Sequence, residues 1–407
     1  MPKFSIIIPT KNRAKYLHYT LLSLVEQNVD DFEIIVSDNF SKDNTKEITD
    51  KFNNPKIKYF KTKSELNRTD SWNFGLSKAK GEYVTYIGDD DSFMPNSLKL
   101  LDDMMVKYNT DVITWKQFNY SWPDHMYDEK KNLINGQVKP LVVKINSKAR
   151  FKMFCNFYER YNSLPCIYNS LIHIKYIEKI KSVSKNNIFF GGVIPDVYSA
   201  IVLSRVIKNY LYAYFPFTIN GASALSGGVA QGTQKKINEK QQEQVKDISI
   251  ARLETEYDDS IGYCPSVYSI ELGEYLLASK NLNTLKWPKP NWRNYISALK
   301  RDALISENQI QIYEAARHTI KKNKLKFIYL PKPKNLKNKK NFSSNNIDCS
   351  IHVSNKYIKN SYDASSFLEF LPKIDEITKN TSSKIIKKWF YNAKITFVEL
   401  IRLYFSK

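Results

Sequence analysis

The chain has 407 residues, 42% of them hydrophobic and 14% aromatic, and carries a formal net charge of +21. That length predicts about two domains plus a tail, with a core large enough to need no disulfide staples. The four cysteines, Cys155, Cys166, Cys264 and Cys349, form no Cys-x-x-Cys pair, so a zinc site or redox dithiol has no support, and no apolar run approaches the ~18 residues of a membrane span.

The apolar stretch between Met1 and Pro9 is too short for a signal peptide, and the expected location is the cytoplasm. The charge is uneven. Residues 1–115 carry 16 basic and 17 acidic side chains, residues 331–407 carry 15 and 6, and the middle holds the remaining +13. A basic excess outside a near-neutral N-terminal segment suits an anionic membrane surface or a nucleic acid, or serves solubility alone.

Phe4-Ser5-Ile6-Ile7-Ile8, stopped by Pro9, reads as a buried parallel strand. Leu17, Leu21, Leu22, Leu24 and Val25 give residues 14–28 helical spacing. A second buried strand runs from Phe32 to Ser37 and ends at Asp38; a polar helix follows over 43–52. Ile57-Lys58-Tyr59-Phe60 is a short third strand. Residues 70–79 are predicted helical, capped by Thr69 or Asp70 and ended near Gly81. Tyr83 to Ile87 is a fourth strand that leads through Gly88 into Asp89-Asp90-Asp91. A helix from Asn96 to Tyr108 and a strand from Asp111 to Trp115 complete the segment. Alternating strands and helices with short connections predict an α/β fold built on a mostly parallel sheet. Ligands bind such sheets at the carboxyl ends of the strands. There the sequence places Pro9-Thr10-Lys11-Asn12-Arg13, Asp38-Asn39 and the aspartate triplet. Residues 116–230 are mixed, 233–257 a charged helical stretch, 266–320 helical with a break at Trp287-Pro288-Lys289-Pro290, and 331–346 a basic linker.

Three adjacent carboxylates at the end of a buried strand repel one another unless a cation neutralises them. Beside a diphosphate they suit Mg²⁺ or Mn²⁺. The plainer reading is a solvated acidic loop or a helix N-cap. Asp38, after the second strand, suits ribose or base, and Arg13 with nearby backbone amides suits phosphate.

The four blocks Ser5 to Arg13, Ile34 to Asp43, Trp72-Asn73-Phe74-Gly75 and Lys80 to Asp91 together resemble the family 2 glycosyltransferases of the GT-A fold. The resemblance covers about the first 115 residues. It implies an inverting transferase that takes a nucleoside diphosphate sugar, UDP by family habit, with a divalent metal, Mn²⁺ or Mg²⁺. It assigns Pro9, Thr10, Asn12, Arg13, Asp38, Asn73, Asp89 and Asp90 to the nucleotide sugar, and Asp91 with Asp89 to the metal. It also implies residues 1–115 as the nucleotide-sugar half and 116–230 as the acceptor half, ahead of a helical region over 231–330 and a tail over 331–407. The family's triplet usually follows an apolar residue, where this chain has Gly88. Family habit further suggests an acceptor on a surface glycan or lipid carrier, as in capsule, lipopolysaccharide or teichoic acid synthesis.

Such a transferase needs a general base, because the acceptor hydroxyl loses its proton as it attacks. Asp196, in Gly191-Gly192-Val193-Ile194-Pro195-Asp196, stands at the family's distance from the triplet; its plainer role is to cap a helix over 197–206. Residues 215–228, rich in small and hydroxyl side chains and including Ser223 and Ser226, are expected to form a loop over donor and acceptor, or an ordinary surface loop. Lys384 to Lys407 reads as an amphipathic helix with Trp389, Phe390, Phe397 and Leu400 on one face and lysines opposite. That pattern suits an anionic membrane surface, peripheral on the inner face of the plasma membrane. Packing on the chain itself, or on a second subunit in a homo-oligomer, is the other reading. Nucleic acid is disfavoured as the main partner, since the near-neutral N-terminal segment carries the motifs. The remaining alternatives are a nucleotidyltransferase, whose Gly-rich basic N-terminal signature is not found here, and an inactive transferase-like domain that only binds.

Overall fold

The computed structural model describes residues 1–136, 139, 141–226, 256–306, 308–326, 349–352 and 359–368. Most of the charged stretch at 233–257, the basic linker and the amphipathic helix at 384–407 lie outside them. The strands are β1 (Phe4–Thr10), β2 (Phe32–Asp38), β3 (Ile57–Lys61), β4 (Tyr83–Tyr86), β5 (Ser92–Phe93), β6 (Val112–Ser121), β7 (Leu133–Gly136), β8 (Val142–Asn146), β9 (Ser170–His173), β10 (Asn209–Ala222) and β11 (Cys349–His352). The helices are α1 (Ala14–Val25), α2 (Thr45–Asp50), α3 (Arg68–Leu76), α4 (Ser97–Tyr108), α5 (Ser147–Cys155), α6 (Ile174–Val183), α7 (Pro195–Val206), α8 (Val267–Asn281), α9 (Trp292–Ala303), α10 (Gln309–Lys322) and α11 (Ser361–Leu368).

All eleven strands join one sheet, in the order β11-β7-β6-β9-β4-β1-β2-β3, with β10 beside β6 and bordered in turn by β8 and β5. β1 pairs in parallel with β2 and β4, and β2 with β3. β9 enters antiparallel between β4 and β6. The apolar runs of β1 and β2 bury both faces. Ile7 and Ile35 join one core, with Val84, Tyr86, the inner sides of α5, α6 and α7, and the helices that follow residue 256. Ile6, Ile8, Ile34 and Val36 join the other, with Leu17, Leu21, Leu98 and Leu101. Burying such a side chain fully contributes about 1.5–3 kcal/mol, and the polar Ser5 and Glu33 on the same strands are buried against each other in a 2.6 Å hydrogen bond.

The expected N-terminal elements form with shifted ends. Pro9 does not stop β1, which runs on to Thr10. α3 starts two residues early because Asn67, rather than Thr69 or Asp70, caps it, its side chain accepting from Asp70 N–H. Residues 215–222, expected in a loop, belong to β10, whose Phe215, Phe217 and Ile219 point into apolar cores. Pro216 is accommodated where the pairing with β6 shifts register, a bulge being one of the places a strand tolerates proline. The predicted break at 287–290 separates α8 from α9. Beyond the linker, β11 pairs with β7, and α11 packs on α1, β5 and β10.

Candidate functional site

The parallel strands deliver their carboxyl ends to one edge. At that edge Thr10 Oγ1 donates to Asp89 Oδ2 at 2.7 Å. The Arg13 guanidinium pairs with Asp89 at 3.2 Å and with Asp90 at 2.6 Å, and also donates to Ser223 Oγ at 3.0 Å and the Leu225 carbonyl at 3.3 Å. Ser223 Oγ in turn donates to Asp90 Oδ2 at 2.7 Å. Thr10, Arg13, Asp89, Asp90 and Ser223, picked from separate stretches of sequence, thus form one buried network. Arg13 meets carboxylates here, where phosphate was expected. Burial works against its charge, but Asp89 and Asp90 more than compensate and hold it above the usual guanidinium value.

Asn12 and Asp38 form an adjoining group. Asn12, in the left-handed region at φ 54°, donates its N–H to Ser41 Oγ, and its side-chain oxygen accepts from Lys42 N–H. Asparagine tolerates that conformation better than most residues. Asp38 accepts from Ser41 N–H and from the Tyr59 hydroxyl. Pro9 lies opposite Ser37 on β2. Asn73 turns elsewhere: its amide exchanges two hydrogen bonds with the Phe190 backbone, at 2.8 and 3.1 Å, and so holds the segment ahead of Asp196. Ser226 follows the turn that begins at Ser223, its N–H bonding the Ser223 carbonyl.

Asp91 faces inward. Its Oδ1 accepts from Gly221 N–H at 2.7 Å, and its Oδ2 from Gly88 N–H at 2.9 Å and from the Tyr168 hydroxyl. Gly88, the departure from the family pattern, leaves room for that contact, since a Cβ there would crowd the Tyr168 hydroxyl and the Asp91 carboxylate. Burial, with Asp90 adding to it, pushes Asp91 up to about 7. Burial pushes Asp89 up to about 6 against the pull of Arg13. Three carboxylates against one guanidinium leave the cluster short of positive charge, and its donors are all hard oxygens. That chemistry fits a divalent cation such as Mg²⁺ or Mn²⁺. As the side chains stand, among the described residues no three ligating groups form a ready-made cage.

Asp196 sits in the first turn of α7, after Pro195, and is not its cap; the cap position is Ile194. It is half-buried, and its Oδ2 accepts from the Tyr161 hydroxyl at 3.2 Å. Burial raises its pKa, and Arg68 and Tyr161 counter part of the rise. The Arg68 side chain, at the start of α3, makes no hydrogen bond or ion pair among the described residues. Burial lowers its pKa while Asp196 pulls it upward. Tyr168 stands between the two carboxylate centres: its hydroxyl is on Asp91 and it feels Asp196. Sequence reasoning missed Arg68, Tyr161 and Tyr168. A cation at the first turn of a helix on the ligand edge was a usable signal for Arg68; the tyrosines gave none.

A polar cavity of about 650 Å³ is lined by Gln117, Asn119, Asn162, Ser163, Tyr212 and Tyr214 among others. It does not include the aspartate triplet. Its wall at 159–163 is the segment that carries Tyr161 to Asp196.

The model of glycosyl transferase family 2 matches residues 5–167. An uncharacterized glycosyltransferase of Haemophilus influenzae is 35% identical over 213 residues, which cover 52% of this chain and 79% of that protein. The GalNAc(5)-diNAcBac-PP-undecaprenol beta-1,3-glucosyltransferase of Campylobacter jejuni is 38% identical over 104 residues, 25% of this chain and 34% of that one. The cholesterol galactosyltransferase of Borreliella burgdorferi is 28% identical over 229 residues, 55% and 63% of the two chains. The matched region thus spans between about a third and two thirds of the length of these last two relatives. In an open α/β sheet ligands bind at the carboxyl ends of the strands, which is the edge where these acidic and basic groups gather. The chain belongs to glycosyl transferase family 2. Among the described residues no helix is long and apolar enough to cross a membrane.

Proposed function

We propose that the chain is an inverting glycosyltransferase that moves a sugar from a nucleoside diphosphate sugar, a UDP-sugar before others, to a hydroxyl of a glycan or lipid-linked acceptor. The observation that carries this reading is the pairing of two unlike carboxylate centres. One is the triplet with Arg13 at the strand ends; the other is the single, pKa-raised Asp196, with Tyr168 between them. Pairs of titratable groups held in different environments are the usual mark of divided chemical roles.

In this reading Asp38, with Asn12 and Pro9, frames the nucleoside, and Thr10 orients Asp89 towards ribose. Arg13 exchanges Asp90 for the diphosphate. Asp196 takes the proton of the acceptor hydroxyl as its oxygen bonds to the anomeric carbon. The bond from that carbon to the diphosphate oxygen breaks on the opposite face, and its electron pair leaves with the nucleoside diphosphate. A divalent cation held by Asp89 and Asp91 would neutralise charge on that leaving group. Arg68 lies where it adds positive charge close to Asp196, and Tyr161 orients the base. Residues 1–115 supply the donor side of this scheme. The cavity walled by β6, β10 and residues 159–163 supports an acceptor side within 116–230. Two relatives are named for lipids, PP-undecaprenol and cholesterol, which favours a lipid-linked acceptor.

The test compares the wild type with Asp196→Asn for donor binding and for release of nucleoside diphosphate from its sugar. The variant should bind the donor within about twofold of wild type and lose turnover by two orders of magnitude or more, roughly the share general base catalysis supplies. Full turnover in Asp196→Asn would remove the base assignment.

A further inference from the structure

The helices that follow residue 256 have no part in the scheme above, yet α8 reaches its centre. Two glutamates one turn apart on α8, Glu271 and Glu274, are fully buried. Glu271 Oε1 accepts from Arg160 Nε and from Tyr161 N–H, both at 2.9 Å. Glu274 Oε1 accepts from Val193 N–H at 3.0 Å, Ile194 N–H at 2.9 Å and the Tyr257 hydroxyl at 3.0 Å. These are the two chain segments that meet at Asp196. Val193 and Ile194 lead directly into Pro195-Asp196, and Tyr161 donates its hydroxyl to Asp196.

The start of α7 explains why such a grip is needed. A helix N-terminus leaves backbone N–H groups without partners. The cap of α7 is Ile194, which has no side-chain acceptor, and Pro195 has no N–H of its own. Glu274 supplies from another helix an acceptor for the Val193 and Ile194 N–H groups, which lead into that first turn. Gly192 is needed for the approach, because a Cβ there would collide with the Glu274 carboxylate. The arrangement is expensive as a purely structural device. Each glutamate leaves its Oε2 buried with no hydrogen-bond partner, and a well-packed apolar residue at such a site is often as stable or more so.

We infer that Glu271 and Glu274 are positioning residues for Asp196: α8 fixes both the backbone that carries the base and the tyrosine that orients it. This rests on the reading of Asp196 as the base. It gives the helical region a role in turnover and none in holding the donor, whose residues lie on β1 and the loop after it, on β2 and in the triplet.

The experiment measures kcat and donor KM for hydrolysis of a panel of UDP- and GDP-sugars, with Mn²⁺, in the full-length wild type, Glu274→Ala, Glu274→Gln and Asp196→Asn. Melting temperatures are recorded alongside. Glu274→Ala should lower kcat roughly tenfold to a hundredfold, the usual effect of misplacing a reacting group, with donor KM within about twofold. Glu274→Gln, whose amide oxygen still accepts both backbone N–H groups, should recover most of kcat. Wild-type kcat in Glu274→Ala beside an inactive Asp196→Asn overturns the positioning role and leaves the base intact. So does a loss of kcat, donor KM and melting temperature together in both Glu274 variants, which is the pattern of a merely structural residue. An active Asp196→Asn, or a wild type that turns over none of the panel, removes the base reading and the inference with it.

Discussion

Replacing Arg13 by glutamine removes the guanidinium that stands between Asp89 and Asp90. The two ion pairs measure 3.2 and 2.6 Å, and the three side chains are between 4 and 17% exposed, so solvent screens them little. Breaking a buried pair from one side leaves an uncompensated charge, and the usual cost is about 3–5 kcal/mol. Here the surviving carboxylates offer a partial escape. Asp89 and Asp91 already sit at about 6 and 7, and loss of Arg13 drives Asp89 higher, so protonation softens the loss in mild acid. The destabilisation should therefore be larger at pH 8 than at pH 5. A cation that binds only the folded state adds about 2.7 kcal/mol at a hundredfold excess over its dissociation constant. Urea melts of the wild type and Arg13→Gln at both pH values, with and without millimolar Mn²⁺, read all three effects. The variant should be the less stable, more so at the higher pH, and should recover more on adding Mn²⁺ than the wild type gains. Equal stability of the two proteins without metal, or an equal gain from Mn²⁺, would refute the account of Arg13 as the cation that stands in the acidic cluster.

Tyr168→Phe keeps the stacking on Trp72 and removes one donor from Asp91. Hydrogen bonds to a charged group contribute about 1.5–3 kcal/mol, so the variant should lose about that much in a chemical melt, and raise the pH above which Mn²⁺ binds in calorimetry. Glu274 gives a second pH effect. Burial pushes it up to about 8, from an ordinary glutamate value near 4.5. The groups that face it are Tyr257, Tyr198, Asp196 and the amides of Val193 and Ile194. A folded-state pKa above the unfolded one means that the folded protein holds the extra proton. Its contribution to stability is complete below pH 4.5 and disappears as pH rises through about 8. Relative to Glu274→Gln, the wild type should lose stability across that window with a slope of up to about 1.4 kcal/mol per pH unit; parallel stability curves would contradict the buried-acid description.

What could be read from the sequence depended on how local each cause was. β1, β2 and β4 announce themselves because both faces are buried, and the residues just past their ends carry the polar groups. Topology alone then brings Thr10, Arg13 and the triplet together. The strand β10 was hidden because its small and hydroxyl residues, with Pro216, imitate a loop. Its hydrogen-bonding partners β5, β6 and β8 are 63 residues or more away in sequence, and only they make it a strand. The cap of α3 was missed because Asn67, Thr69 and Asp70 are all capping residue types. Asn73, assigned to the nucleotide sugar through the family resemblance, has its amide bonded to the Phe190 backbone, a contact 117 residues away that no local pattern announces. Glu271 and Glu274 were invisible for a plain reason. A glutamate on a helix reads as a solvated face, and only the tertiary contact with residues 160–161 and 193–194 shows it buried.

The most direct test of the central claim is calorimetry of the purified protein against a panel of nucleoside diphosphates, with and without Mn²⁺, repeated in Asp91→Asn. The account predicts that one nucleotide binds in the presence of the metal and that the substitution abolishes this metal-dependent binding. No binding of any nucleotide under either condition, or unchanged metal-dependent binding in Asp91→Asn, would contradict it.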